Sequence, residues 1–270
     1  MRGLYTAGVL DVFIDNNITF DGIMGVSAGA LFGISYASRQ RGRSLRYSQK
    51  YNSDKRYISV GSLLRTGNIV NTEFAYGTMP HKLDPFDNET FMASGVDFWA
   101  VVTDIHTGLP EYIQVTDCFA QMDVLRASGS MPFFSAPVEI DGRQYLDGGI
   151  SDAIPYRKMR QLGYDRLVVV VTRDEGYVKE PMSPGLIKMF YHKYPEFERV
   201  MIGRHRDYNK CVRRLKKLEE QDKLYVIRPT VPLEIKRLEK DPAKMQAVYD
   251  VGVSDALAVA EQVKEYIRKN

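Results

Sequence analysis

Apolar residues recur with a helical period over residues 1–17, where Leu4, Ala7, Val9, Leu10, Phe13 and Ile14 line up and Asn16-Asn17 closes the segment. The pattern then shortens. Phe20 to Val26 reads as a brief buried strand, and Ala28 to about Tyr36 as a helix packed by small residues. Arg39 to Lys55 is rich in Arg and Lys and reads as a solvated helix. Phe98 to Val102 ("FWAVV") is a buried strand, and Ile113 to Val115 is a second one after the turn "HTGLP". Asp123 to Ala127 reads as a short helix, followed by the loop "SGSMPFFSAP", punctuated by small residues and prolines. "VEIDGRQYLDGG" predicts a hairpin around Asp141-Gly142, a favoured two-residue turn pair. The unbroken run from Asp165 to Thr172 ("DRLVVVVT") predicts a strand buried on both faces, as parallel sheets require.

Beyond this point the pattern changes. Prolines and glycines gather between Glu175 and Pro184, a charged helical pattern covers about Glu196 to Glu220, and one strand ("KLYVIRP") precedes a final helix. That helix places Met245, Val248, Tyr249, Val253, Ala256, Leu257, Ala260, Val263 and Ile267 on one face. Strands alternating with helices predict an α/β fold. The expected division is a core over 1–178 and a mainly helical extension with one strand over 179–270.

With 270 residues, 44% of them hydrophobic, there is enough apolar material for a substantial core. A net charge of +3 is too small to argue for a nucleic-acid partner. Cys118 and Cys211 are too far apart to read as a disulfide framework or a metal site, which favours a reducing compartment and a cytoplasmic expectation. No apolar run approaches the ~18 residues of a membrane span. Any membrane contact expected of this chain is peripheral, at an inner surface.

The chemistry concentrates at Gly25-Val26-Ser27-Ala28-Gly29. A serine between a strand and a helix, with glycine two residues before and after, fits a turn too tight for a β-carbon. The helix that follows directs its first N–H groups at the serine hydroxyl, where negative charge would develop in acyl transfer. Ala28 N–H is the natural oxyanion donor. The other reading is a serine that happens to lie between two glycines.

Two kinds of base could serve Ser27. A Ser–Asp–His triad of the common hydrolase order needs several strands before the nucleophile, and here at most one helix and one strand precede it. His81, His106, His192 and His205 lie in loops or charged segments, with His106 nearest a strand end. Asp147, in "YLDGG", ends a strand on a flexible turn. An aspartate with an ordinary pKa is a weak base toward a hydroxyl, but desolvation beside the nucleophile would raise its basicity. Asp104 in "VTDIHTG" reads as a turn organiser, and Ser128 and Ser130 as small residues of a tight loop or of an acyl pocket.

Together, "GVSAG", "AVVTDIHTGLPEYI" and "ASGSMPFFSAPVEIDGRQYLDGG" resemble, in order, the patatin-like phospholipase family over roughly residues 1–175. The resemblance implies a three-layer α/β/α sandwich that cleaves lipid acyl esters with a Ser–Asp dyad and needs neither metal nor cofactor. It makes Ser27 the nucleophile and Asp147 the base, with Gly25, Gly29, Gly148 and Gly149 as motif glycines. That family opens with a strand and the loop G-G-G-x-[RK]-G, of which Met1, Arg2 and Gly3 match the last positions. The expectation is therefore that this sequence starts at an internal methionine, leaving Arg2 and Gly3 as remnants of the oxyanion loop. Ala153 stands where the family often has Asn, which reads as structural variation. A non-catalytic lipid- or partner-binding module on the same fold is the alternative.

Overall fold

The computed structural model describes residues 1–268. In chain order the elements are α1 (Gly3–Asp15), β1 (Gly22–Val26), α2 (Ala28–Ala37), α3 (Arg43–Tyr51), α4 (Val60–Thr66), a π-helical segment (Glu73–Leu83), α5 (Asn88–Met92), β2 (Asp97–Asp104), β3 (Pro110–Gln114), α6 (Met122–Gly129), β4 (Val138–Ile140) and β5 (Arg143–Asp147). A 3₁₀ turn (Gly148–Ile150), α7 (Tyr156–Gln161), β6 (Val168–Val170), α8 (Pro184–Tyr191), α9 (Pro195–Glu220), β7 (Tyr225–Ile227) and α10 (Pro242–Arg268) complete the chain.

β2 organises the main sheet. β1 runs parallel to it, and β3 and β5 run antiparallel, with β4 outside β5. Val101 pairs with Val26 and Tyr112, and Val102 pairs with Asp147 and Glu111. Because β3 takes one edge of β2 at both positions, β1 and β5 share the other edge and meet end to end. The C-terminus of β1 and the C-terminus of β5 are thus held at consecutive register positions of one strand.

Side chains alternate across a strand, and β1 is covered on both faces. Ile23 packs into a cluster built by α1, α2, α3 and α10, whereas Met24 packs with Tyr156, Met159, Leu215 and Leu224. The result is an α/β sandwich of three layers with a helical C-terminal extension. α10 lies along α1: Met245, Val248, Tyr249, Ala256, Ala260 and Val263 join Leu4, Tyr5, Val9 and Phe13 in one hydrophobic core. A β-carbon on Gly252 would stand 2.1 Å from Tyr5 O, and one on Gly8 2.3 Å from Tyr249 O. The two glycines therefore let the helix backbones approach directly.

Several expectations are corrected. The basic stretch forms a shorter helix, and it is solvated on one face only: Arg43, Ser44, Leu45, Tyr47, Ser48 and Tyr51 are buried, while Arg46 and Lys50 are exposed. Arg43 is held by Asp84, which also takes the Arg46 fork at 2.7 and 2.9 Å. In α10 Leu257 is 58% exposed, while Gly252 occupies the buried face. The run from Asp165 yields only three strand residues, Val168–Val170, all half-buried. Among the described residues β6 pairs only with β7, and β1 only with β2. A cavity of about 1010 Å³ is lined by residues of both β1 and β6, and Ser27 and Asp147 open onto it.

Candidate active site

The turn after β1 is strained. Ser27 has φ 55° and ψ −122°, a left-handed conformation that a residue with a β-carbon adopts only when its surroundings enforce it. Ser128 Oγ, fully buried, accepts the Ser27 N–H at 3.0 Å and fixes that peptide. The tightness falls unequally on the two motif glycines. A β-carbon at Gly25 would lie 2.4 Å from Ala30 Cα, whereas one at Gly29 would meet nothing within 4 Å. Gly25 lets α2 fold back against its own strand, and the steric expectation for Gly29 is corrected.

The end of β5 brings Asp147 to the same place. Its backbone is anchored on both sides: Asp147 N donates to Ser130 O at 2.9 Å, and Thr103 Oγ1 donates to Asp147 O at 2.9 Å. Its carboxylate accepts Gly149 N–H at 2.7 Å and faces Ser27, whose hydroxyl favours the charged form. A β-carbon on Gly148 would overlap Val101 O at 2.2 Å, so this glycine lets the turn cross directly over β2. Asp147 is only 6% exposed. Burial pushes its pKa above the ordinary carboxylate value, against the pull of Ser27, Gly149 and the more distant Arg204 guanidinium. A carboxylate so placed is a stronger base than one in water.

Ala28 and Gly29 open α2, so their N–H groups have no intrahelical acceptor. Gly3 is the first residue of α1 and lies against Ala28, where a β-carbon on Gly3 would come within 2.5 Å of Ala28 Cβ. Arg2, preceding it, lines the cavity with Ser27 and Asp147. The expected site residues are therefore collected from the starts of two helices and the ends of two strands.

None of the four histidines lines this cavity. His106 is exposed and packs edge-on against Tyr194 at 5.3 Å, and His81 stacks on Phe119 at 4.1 Å. Asp104 organises its turn, accepting His106 N and Thr107 N at 2.8 Å each and the Arg143 guanidinium. Burial pushes its pKa up, but these bonds outweigh that and leave it below the ordinary value. Among the described residues no three His, Cys, Asp or Glu side chains converge as metal ligands would.

Two positioning residues were not legible in the sequence. Ser128 carries no motif beyond its small size. Arg204, in the charged pattern of α9, donates from Nε to Gly149 O at 2.7 Å and steadies the turn after Asp147; nothing in its own segment distinguishes it from its basic neighbours.

Comparison with known proteins covers the same stretch. The chain is 32% identical over 177 residues to the "Uncharacterized protein YjjU" of Escherichia coli, covering 63% of this chain and 49% of that protein. It is 27% identical over 193 residues to "Lysophospholipase NTE1" of Candida glabrata, covering 68% of this chain and 10% of that protein. Similarity to the "Uncharacterized NTE family protein Rv1063c" of Mycobacterium tuberculosis is 24% over 169 residues, covering 63% of this chain and 45% of that protein. The chain thus spans about half, or less, of the length of these relatives. Residues 194–268, which hold α9 and α10, match a domain of unknown function (DUF6363). Residues 1–159, which carry the strained serine turn and the Asp-Gly-Gly turn that meets it, match the model of the patatin-like phospholipases, and the chain belongs to that family.

Proposed function

We propose that the chain is a serine acyl hydrolase acting on lipid esters through Ser27 and Asp147. The observation that carries this reading is the meeting of the strained Ser27 turn and the buried Asp147 carboxylate at consecutive register positions of β2. Asp147 takes the proton as Ser27 Oγ attacks the ester carbonyl carbon. The carbonyl oxygen becomes an oxyanion facing Ala28 N–H at the positive end of α2, with Gly3 and Arg2 beside it. Collapse expels the alcohol, which receives the proton from Asp147, and leaves an acyl-Ser27. Water then gives its proton to Asp147, attacks the acyl carbon, and releases the fatty acid as the proton returns to Ser27. No metal or cofactor enters these steps.

The partner in this reading is a lipid ester, reached by peripheral contact with a membrane surface. No helix among the described residues is long and apolar enough to cross a membrane. α8 supports a surface contact, because Leu186, Met189 and Phe190 are exposed on it while Ile187 and Tyr191 are buried. Phe190 packs edge-on against Phe133 in the loop that leads to β4.

The test is a fluorophosphonate probe together with a short-chain nitrophenyl ester. Wild-type protein is expected to label at Ser27 and to hydrolyse the ester. Ser27→Ala should neither label nor turn over, and Asp147→Asn should lose about 10²- to 10⁴-fold in rate. Labelling elsewhere, or full activity in either variant, overturns the dyad. A folded wild-type protein that does not label favours the non-catalytic binding module.

A further inference from the structure

Besides Arg166, Lys264 and Arg268, five cationic side chains line the cavity that holds Ser27 and Asp147 and act on one another there: Arg2, Arg173, Lys179, Arg204 and Arg237. They come from distant parts of the chain, namely the start of α1, the segment between β6 and α8, the middle of α9, and the segment between β7 and α10. Their mutual repulsion is felt directly. Lys179 is pressed by Arg204, Arg173, Arg2 and Arg237, and Arg2 by Arg173 and Arg237. Burial and these neighbours bring the Lys179 pKa down to about 8.

Several arginines elsewhere are paired, as Arg41 is with Asp15, Arg46 with Asp84 and Arg143 with Asp104. Among the described residues, none of the five forms an ion pair with a carboxylate. Three of them, Arg173, Lys179 and Arg204, are nonetheless held in place. The Arg173 guanidinium lies 3.8 Å from the centre of the Tyr177 ring, and Lys179 Nζ lies 4.9 Å from that of Tyr208. The two tyrosines pack edge to face at 6.1 Å. Asn209 grips the Lys179 backbone, accepting its N–H at 2.8 Å and donating to its carbonyl at 3.0 Å. Arg204 is tied to Gly149, two residues beyond Asp147. Aromatic faces and amide clamps thus fix like charges that would otherwise separate into solvent.

The single Asp147 carboxylate, which Arg204 and Arg237 feel, cannot balance five cations, and such an excess of fixed positive charge is completed by an added anion. Leu31, Phe32, Tyr57, Val70, Tyr76 and Met131 line the same cavity and offer an apolar wall for an acyl chain. Building on the dyad reading above, we propose that the cluster is a headgroup site for a phosphomonoester. It holds the terminal phosphate of an acylated glycerol phosphate so that the acyl ester reaches Ser27. A phosphomonoester carries about −1.5 to −2 charge at pH 7 and presents three acceptor oxygens. A phosphodiester bearing choline carries one negative charge fewer and sets a quaternary ammonium against the arginines. The cluster therefore selects for the free phosphate and against the choline ester.

The test compares kcat/KM for oleoyl glycerol phosphate and oleoyl glycerophosphocholine in the same protein. Wild type should prefer the free phosphate by at least about tenfold, the effect of a 1.4 kcal/mol difference. In the double variant Arg173→Gln, Lys179→Gln that ratio should collapse toward one, chiefly through KM, and Lys179→Arg should keep it. Partial unfolding lowers both rates alike and leaves the ratio unmoved, so a ratio that survives the double variant overturns the proposal. A wild-type ratio of one, with Ser27→Ala inactive, leaves the dyad standing and removes the headgroup site. Both lipids cleaved unchanged by Ser27→Ala removes the dyad itself. Inorganic phosphate supplies the remaining arm. If it raises the melting temperature of wild type but not of the double variant while the lipids are not distinguished, the cluster serves free phosphate and the headgroup proposal falls.

Discussion

Asp147, the proposed base, sets that role against stability. Its carboxyl has a folded-state pKa above the ordinary value of 3.8. Between those two values the folded protein binds more protons than the unfolded chain, so stability falls as pH rises through the window. What the neutral carboxyl contributes in acid is lost above the folded pKa, where the buried charge is carried at a cost. Asp147→Asn keeps the acceptor for Gly149 N–H and removes that charge. It is expected to raise the melting temperature at pH 8 relative to wild type. The difference should vanish below pH 3.8, where both side chains are neutral; melting curves of both proteins across pH decide it. A variant that is less stable than wild type at both ends would mean that the pull of Ser27 and Gly149 outweighs desolvation.

The junction between β1 and α2 carries the next prediction, at the scale of elements. A methyl group at Gly25 must displace the backbone of Ala30, 2.4 Å away, and Gly25→Ala is expected to cost about 1–3 kcal/mol. At Gly29 the added carbon meets open space, and within α2 alanine is the better helix former by up to about 1 kcal/mol. Gly29→Ala should therefore be neutral or stabilising in denaturant titration. The two glycines are symmetric in the sequence motif and asymmetric in the fold, because only Gly25 faces the returning helix. The same limit governs α10. Its hydrophobic period announces a long amphipathic helix, and Met245, Val248, Ala256 and Val263 do turn inward. Periodicity counts apolar side chains, so it assigned Leu257 to the core and passed over Gly252, whose value is the absence of a side chain where α1 crosses. It also read Arg43 as solvated, because its partner Asp84 lies far along the chain.

For the molecule as a whole, the legible parts are those with local signatures: the serine turn, the Asp-Gly-Gly turn, the hairpin and the final helix. That Ser27 and Asp147 meet depends on β2, which holds Val26 at Val101 and Asp147 at Val102, a non-local pairing that composition does not encode. The valine run before Thr172 has the composition of a central strand, yet among the described residues β6 is half-buried with only one strand beside it. Its other edge and that of β1 both border the cavity, and among the described residues no strand pairs with either edge. Met1 and Arg2 line that cavity, and the Met1 amino group donates to Lys236 O and Arg237 O at 3.2 and 2.9 Å, so a segment joined ahead of Met1 begins beside it. An added stretch with strand alternation, ending in a glycine-rich turn, can pair with β1 on one side and β6 on the other and bring new N–H donors toward Ser27. Each kcal/mol gained should raise the melting temperature by roughly 2–4 °C. Completing an oxyanion site by one donor should raise ester hydrolysis by about 10²- to 10³-fold. A matched extension interrupted by two prolines cannot pair with either edge and should give neither effect. If it stabilises and activates equally, the gain arises outside the β1–β6 slot.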